Sequence, residues 1–167
     1  DFLANTVYSW EQEASKARSL GIRTIYARFG VVLGANGGAL PKMLLPYQFY
    51  IGGTIGSGKQ WLSWIHIDDV VRMMDFIIHK KEIDGPLNMT APTPIRMKEF
   101  GENIATIMNK PHWLPVPSFI IQTLLGEMSI LVLEGQRVLP IKAIEHGYQY
   151  TFPAIDHALQ NILSHTM

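Results

Sequence analysis

Apolar positions recur along this chain with two different spacings, and the switches between them set the expected order of elements. From residue 2 to residue 20 the spacing is helical. Phe2, Val7, Trp10, Ala14 and Ala17 can share one stripe, and Gly21 offers a C-terminal stop. Residues 22–33 are rich in β-branched and aromatic side chains and apolar on both faces, which predicts a strand central to a parallel sheet. Gly34-Ala35-Asn36-Gly37-Gly38 predicts a loop. A helix is expected over 39–50, bent or ended by Pro46. Residues 52–58 read as a flexible, glycine-rich stretch. A second strand is expected over 61–67, with Asp68 as the N-cap of a helix over 69–79. A short third strand over 85–90 precedes an amphipathic helix over 96–109, whose apolar face carries Met97, Phe100, Ile104 and Ile107.

The pattern changes near Pro111. Pro115 and Pro117 lead into an apolar run at 118–125, a second run covers 131–138, and a final helix is expected over 154–163. The alternation of helices and strands predicts an α/β fold: residues 1–110 as the distal, C-terminal part of a Rossmann-type parallel sheet, and 111–167 as a small, mostly helical C-terminal lobe. Three strands are few for such a sheet, so partners are expected upstream of Asp1. An unpaired sheet edge of this kind favours association, and a homo-oligomer is expected.

Composition narrows the function. Hydrophobic residues make up 47% and charged residues 17%, which supports a packed core. Lys+Arg and Asp+Glu are 14 each, with no basic stripe, so no nucleic-acid partner is expected. The absence of cysteine excludes disulfides, thiolate metal sites and a cysteine nucleophile, and fits a cytoplasmic protein. No apolar run reaches the roughly 18 residues of a membrane span, so no membrane partner is expected. No H-E-x-x-H or comparable spacing occurs, and no metal site is expected.

Among residues that can carry chemistry, His66 falls late in a strand, where ligands of open α/β sheets gather. With Asp68 and Asp69 it could serve acid–base or metal chemistry, or it could be a packed strand-end residue beside a capping aspartate. The other five histidines, His79, His112, His146, His157 and His165, fall at helix ends or in loops and read as solvated. Arg28 falls in an apolar strand context, where a buried guanidinium must meet either a ligand or an internal acid. Gly30 would let a ligand or another backbone approach. Trp61 and Trp64 could stack on a ring or simply fill the core. Gly53 to Lys59 matches the first seven positions of a phosphate-binding P-loop, but Gln60 replaces the Ser or Thr and a strand follows in place of a helix. The rival reading is a mobile loop beside a site. A G-x-G-x-x-G dinucleotide fingerprint is absent, as is a G-x-S-x-G elbow.

Several segments occur together in order: Trp10-Glu11-Gln12-Glu13-Ala14; Ala27 to Gly34; Gly37-Gly38-Ala39-Leu40; Gly56 to Asp69; Gly85-Pro86-Leu87-Asn88; and Leu125-Gly126-Glu127-Met128. This set resembles the epimerase-like subfamily of atypical, extended short-chain dehydrogenases/reductases, which ends in a small C-terminal domain of uncharacterised role. The resemblance implies a nicotinamide cofactor, NADP or NAD, with Arg28, Phe29, Gly30 and Val31 on the nicotinamide side. It implies a pocket for a small-molecule, sugar-nucleotide-like substrate lined by Lys59, Gln60, Trp64 and His66. Arg28 and Gly34 match the family's segment, whereas Val31 stands where the family often has Asn.

The wider family's catalytic Tyr-x-x-x-Lys departs here. No Tyr in this chain has a Lys four residues later; Tyr8 is followed at that spacing by Gln12, and the motif's place falls near Leu3 and Val7. No catalytic residue is assigned. The leading expectation is part of a nicotinamide-dependent oxidoreductase or epimerase. Its rival is a dinucleotide-binding sensor or regulatory protein without turnover. A third reading makes 111–167 an interaction module that uses the run 119–125.

Overall fold

The strand expected over 22–33 is two strands in the computed structural model, which describes residues 2–117 and 135–164 with positions 119, 123, 126 and 129 between them. Helix α1 (Phe2–Ser19) leads into β1 (Ile25–Phe29) and, after a break at Gly30, β2 (Val31–Leu33). Then follow α2 (Leu40–Gln48), β3 (Trp61–Leu62), β4 (Trp64–His66), α3 (Ile67–His79), β5 (Gly85–Met89), β6 (Ile95–Arg96), α4 (Met97–Met108), α5 (Ile141–Glu145) and α6 (Ile155–Ser164). The first half of the apolar run 131–138 (131–134), most of the run 118–125 and most of the motif at 125–128 lie outside the described residues.

Gly30 is the reason for the break. Its N–H donates to the Met89 carbonyl at 3.1 Å, and the next N–H, of Val31, donates to the Ser63 carbonyl at 2.8 Å. Successive residues of a strand point their backbone groups to opposite edges. The chain therefore trades one partner for another on the other side. β1 pairs parallel with β5, Ile25 opposite Gly85 through Phe29 opposite Met89. β2 pairs parallel with β4, Val31 opposite Trp64 and Leu33 opposite His66. A Cβ at Gly30 would sit 2.6 Å from the Ser63 carbonyl oxygen, so only glycine fits this crossing. Beside this parallel layer, β3 and β6 form a short antiparallel pair.

The same alternation leaves one edge open. Thr24 accepts from the Gly85 N–H, so the even positions of β1 face β5. Ile25, Ala27 and Phe29 turn their backbone groups to the other edge, where no strand pairs among the described residues.

Two apolar clusters hold the layer. One gathers Leu33, Leu40, Met43, Leu44 and Trp64 with Phe100 and Ile104 of α4 and Leu159 and Ile162 of α6. The other gathers Ile65, Met73, Ile77, Leu87 and Met89 with Tyr148. α4 carries its expected apolar face inward through Met97, Phe100 and Ile104, and ends at Asn109, which takes the left-handed conformation (φ 51°). α1 forms as expected, but its stripe does not become a packed face. Val7 and Trp10 remain 43% and 70% exposed. Among the described residues its ties to the sheet are polar: Glu11 to Arg28 and Arg18 to Asp84.

Candidate functional site

The β2–β4 pair ends on Leu33 and His66, and a cleft of about 570 Å3 opens at those carboxyl ends. This is where parallel α/β sheets place ligands, and the volume is that of a small-molecule site. Its walls are Val32, the loop Gly34 to Gly38, the start of α3 at His66, Ile67 and Asp68, and Asn161 with Ile162 of α6. At Gly34 the loop passes α3 at ordinary contact distance: a Cβ there would lie 3.4 Å from Ile67 Cγ2.

His66 organises this junction. The N-cap expected at Asp68 is in fact His66, which is extended (φ −71°, ψ 142°) and accepts the Asp68 N–H through Nδ1 at 3.0 Å. Asp68 instead occupies the first turn at the cleft rim, with its side chain 55% exposed. The His66 ring is buried, stacks on Phe152 at 3.9 Å between ring centres, and holds Nε2 3.2 Å from Asn161 Oδ1. Because Nδ1 accepts, Nε2 carries the proton and donates to Asn161. Burial pushes the His66 pKa below its usual value, against the opposing pull of Asp68, the Asn161 hydrogen bond and Asp69. A neutral ring with both nitrogens engaged positions its neighbours and is poorly placed to shuttle a proton.

Asp69 acts in another way than acid–base chemistry. Its carboxylate is fully buried. It accepts from the Tyr148 hydroxyl at 3.0 Å, the Thr151 N–H at 2.9 Å and the Phe152 N–H at 2.8 Å. These bonds fasten the segment that carries Phe152 and leads into α6. Thus Asp69 sets the ring that stacks on His66 and the helix that brings Asn161 to the cleft.

The other sequence candidates scatter. Arg28 is exposed, contrary to its apolar context, and makes a two-pronged bond to Glu11 on α1 at 2.7 and 2.6 Å. That bond holds the Glu11 carboxyl below its usual pKa. Phe29 is 52% exposed at the open edge. Gly30 makes the strand crossing, and Val31 is half-buried beside it. Of the four pocket candidates, His66 lines the cleft. Trp64 is fully buried and donates Nε1 to the Thr93 carbonyl at 3.0 Å. Gln60 braces its own loop, accepting from Ser57 and donating to the Ile55 carbonyl. Lys59 accepts from Arg96 through its carbonyl. Trp61 is half-buried with the Arg96 guanidinium stacked 3.6 Å from its ring centre.

The glycine-rich segment 52–58 leads into β3, not into the helix that a phosphate-binding P-loop would need. It is stitched to residues 113–116: Trp113 donates to Gly52, Val116 donates to Thr54, and Gly56 donates back to Val116. A Cβ at Gly53 would overlap the Leu114 carbonyl. His112, expected to be solvated, is half-buried between the Tyr47 and Thr54 hydroxyls, each 3.0 Å from a ring nitrogen. Burial lowers its pKa. Among the described residues no group of three or more His, Asp or Glu is placed to hold a metal ion. Asn161 carries no local sequence signal; its role depends on contacts 95 residues away in the chain.

Residues 116–162 match a family model described as a domain of unknown function, DUF1731. The chain is 51% identical over 164 residues to the epimerase family protein YfhF of Bacillus subtilis (strain 168), covering 98% of this chain and 54% of that protein. The crystal structure of human epimerase family protein SDR39U1 (isoform 2) with NADPH superposes with a TM-score of 0.78 at 38% identity, over 85% of this chain and 48% of that one. The nucleoside-diphosphate sugar epimerase of Corynebacterium glutamicum also gives 0.78, at 28% identity, over 99% of this chain and 31% of that one. The chain thus spans about half the length of the curated relatives it matches. Its α/β architecture is that of the Rossmann-type epimerases.

Proposed function

We propose, on the premise of this likeness to epimerase-family proteins, that the chain supplies the substrate-side portion of a nicotinamide-dependent oxidoreductase or epimerase. The observation that carries the reading is the cleft at the carboxyl ends of β2 and β4; in the same β1–β2 segment, Phe29 turns its backbone to an edge where no strand pairs among the described residues. That edge suits a nicotinamide. It offers a backbone N–H and C=O side by side, and a carboxamide carries the complementary acceptor and donor. The ring would supply hydride acceptance or donation when bound.

In this reading residues 28–31 form the nicotinamide side through their backbone. Arg28 contributes by fixing α1 to β1 through Glu11. His66 and Asn161 line the substrate side, with Trp64 packed beneath them; Lys59 and Gln60 stand further off, in the loop before β3. The chain has no glycine fingerprint, so its own share of the cofactor is the nicotinamide end. The cofactor is NADP or NAD, the ligand a small molecule, and the setting a cytoplasmic homo-oligomer. Residues 1–110 and 111–167 would act together, because α6 of the second part completes the cleft of the first.

A second reading, dinucleotide sensing without turnover, is favoured by one specific observation: His66 has both nitrogens engaged, and no Tyr here has a Lys four residues on. Titration of the intact protein with NADPH and NADH, followed by tryptophan fluorescence, tests the premise that the two readings share. Hydride exchange with a carbonyl or alcohol panel then separates them.

A further inference from the structure

We infer that Trp61, Arg96 and Arg137 form a binding site for an oxyanion, the carboxylate or phosphate group of a small molecule, beside the strand crossing at Gly30. This goes beyond the cleft at β2 and β4 and does not depend on it.

Three separate segments build the site. Trp61 of β3 lies opposite Arg96 of β6. Residues directly opposite in an antiparallel pair put their side chains on one face, and the Arg96 guanidinium stacks 3.6 Å from the Trp61 ring centre. Arg96 also donates to the Lys59 carbonyl, which limits its rotation. Arg137 comes from beyond α4. Ser63 Oγ donates to the Gln136 carbonyl at 2.6 Å and accepts the Val138 N–H at 2.9 Å. Residue 137 is thereby held on both sides, and its guanidinium lies 5.4 Å from the same indole.

Charge carries the second step. Each guanidinium gains from the indole ring, but bringing two of them to one ring sets like charges against each other. An oxyanion bound to both reverses that cost. Stacking engages the flat face of a guanidinium, and its in-plane N–H donors match the oxygens of a carboxylate or phosphate. The acids at the start of α4 have partners of their own. Glu99 accepts the Arg96 backbone N–H at 3.3 Å, and Glu102 lies 3.8 Å from Lys98.

Position gives the site its use. The Ser63 carbonyl accepts the Val31 N–H at 2.8 Å, directly after Gly30. The residue that holds Arg137 in place therefore also anchors the crossing at the carboxyl end of β1, where parallel sheets gather their ligands. An anionic group seated here would tether one end of a small molecule beside that crossing. Arg137 belongs to residues 116–162, matched as a domain of unknown function. Presenting this cation is then one task of that segment.

The test is NMR of the intact, 15N-labelled protein, following the Trp61 indole N–H, assigned with Trp61→Phe. Sodium phosphate and sodium acetate are titrated against sodium chloride at matched ionic strength into wild type, Arg137→Gln and Arg137→Lys. The expected result is a saturable Trp61 shift with at least one oxyanion and none with chloride. Arg137→Gln should weaken it about tenfold, and Arg137→Lys, which keeps the charge without the fork, less. The Lys variant guards against a folding defect in the Gln variant, and phosphate against acetate tells which oxyanion the site prefers. A shift matched by chloride, or equal affinity in all three proteins, would overturn the inference. So would the absence of any saturable shift, as when a carboxylate from another segment of the intact protein fills the cluster. No cofactor enters the readout, so the result stands whether or not NADPH binds.

Discussion

The Tyr148 hydroxyl donates to the Asp69 carboxylate at 3.0 Å, joining residues 79 positions apart. Two backbone N–H groups, of Thr151 and Phe152, converge on the same carboxylate. Asp69→Asn would replace one acceptor oxygen with a donor facing donors. That change is expected to cost about 3 kcal/mol, whereas Tyr148→Phe, which removes one donor, is expected to cost about 1 kcal/mol. Urea denaturation of both variants checks the order. Equal costs would mean that the carboxylate is not the hub.

Gly30 and Gly37 give opposite predictions for the same substitution. Gly30→Ala drives a methyl group to 2.6 Å from the Ser63 carbonyl oxygen and 3.0 Å from Thr90 Cγ2, while Gly37 has nothing within 4 Å. Gly30→Ala is expected to cost about 2–3 kcal/mol. Gly37→Ala is expected to stay within about 0.5 kcal/mol of wild type. Thermal melts of the two variants decide whether the β1–β2 crossing is as tight as described.

Two histidines set the acid side of the stability profile. Burial lowers the pKa of both His66 and His112 in the folded chain. Between the folded value and the unfolded value of about 6.5, the unfolded chain binds protons that the folded chain does not. Stability is therefore full above that unfolded value and falls as pH drops from it toward the folded pKa values. His112→Gln should flatten this slope. An unchanged slope from pH 7.5 to 5 would contradict the burial of His112.

Arg28 and Phe29 adjoin in sequence but differ in expected effect. The Arg28–Glu11 pair has side chains 49% and 21% exposed, so Arg28→Ala should cost less than about 1 kcal/mol and leave NADPH affinity within about twofold of wild type. Phe29→Pro removes an N–H on the edge away from β5, a position where proline is compatible with a strand. It should weaken NADPH by about tenfold. Calorimetric titration of both variants separates a backbone contact from a side-chain one.

Much of the scaffold was legible in the sequence because it is encoded locally. α4 follows from helical apolar spacing, α3 from a capping residue at the end of a strand, and β1 with β2 from the β-branched and aromatic run over 22–33. His66 could be singled out because the end of a strand before a helix is a local feature. The rest depends on contacts between distant residues. Asn161 reaches the cleft only because α6 packs on α4. Asp69 read as one of two acids near a cap, yet its partners lie near residue 150. Arg28 looked buried because its neighbours in the chain are apolar, while in space it meets Glu11 on a helix. His112 looked solvated because the hydroxyls that enclose it come from α2 and from the loop beyond it. The break at Gly30 was missed because periodicity cannot reveal that a strand changes partner midway.

The most direct test of the account is the titration of the intact protein with NADPH, read through tryptophan fluorescence. Trp61 and Trp64 lie on and beside the strand that leads into the cleft. The account predicts a saturable change, weakened in Phe29→Pro and retained in Arg28→Ala. A flat response to both NADPH and NADH would contradict it.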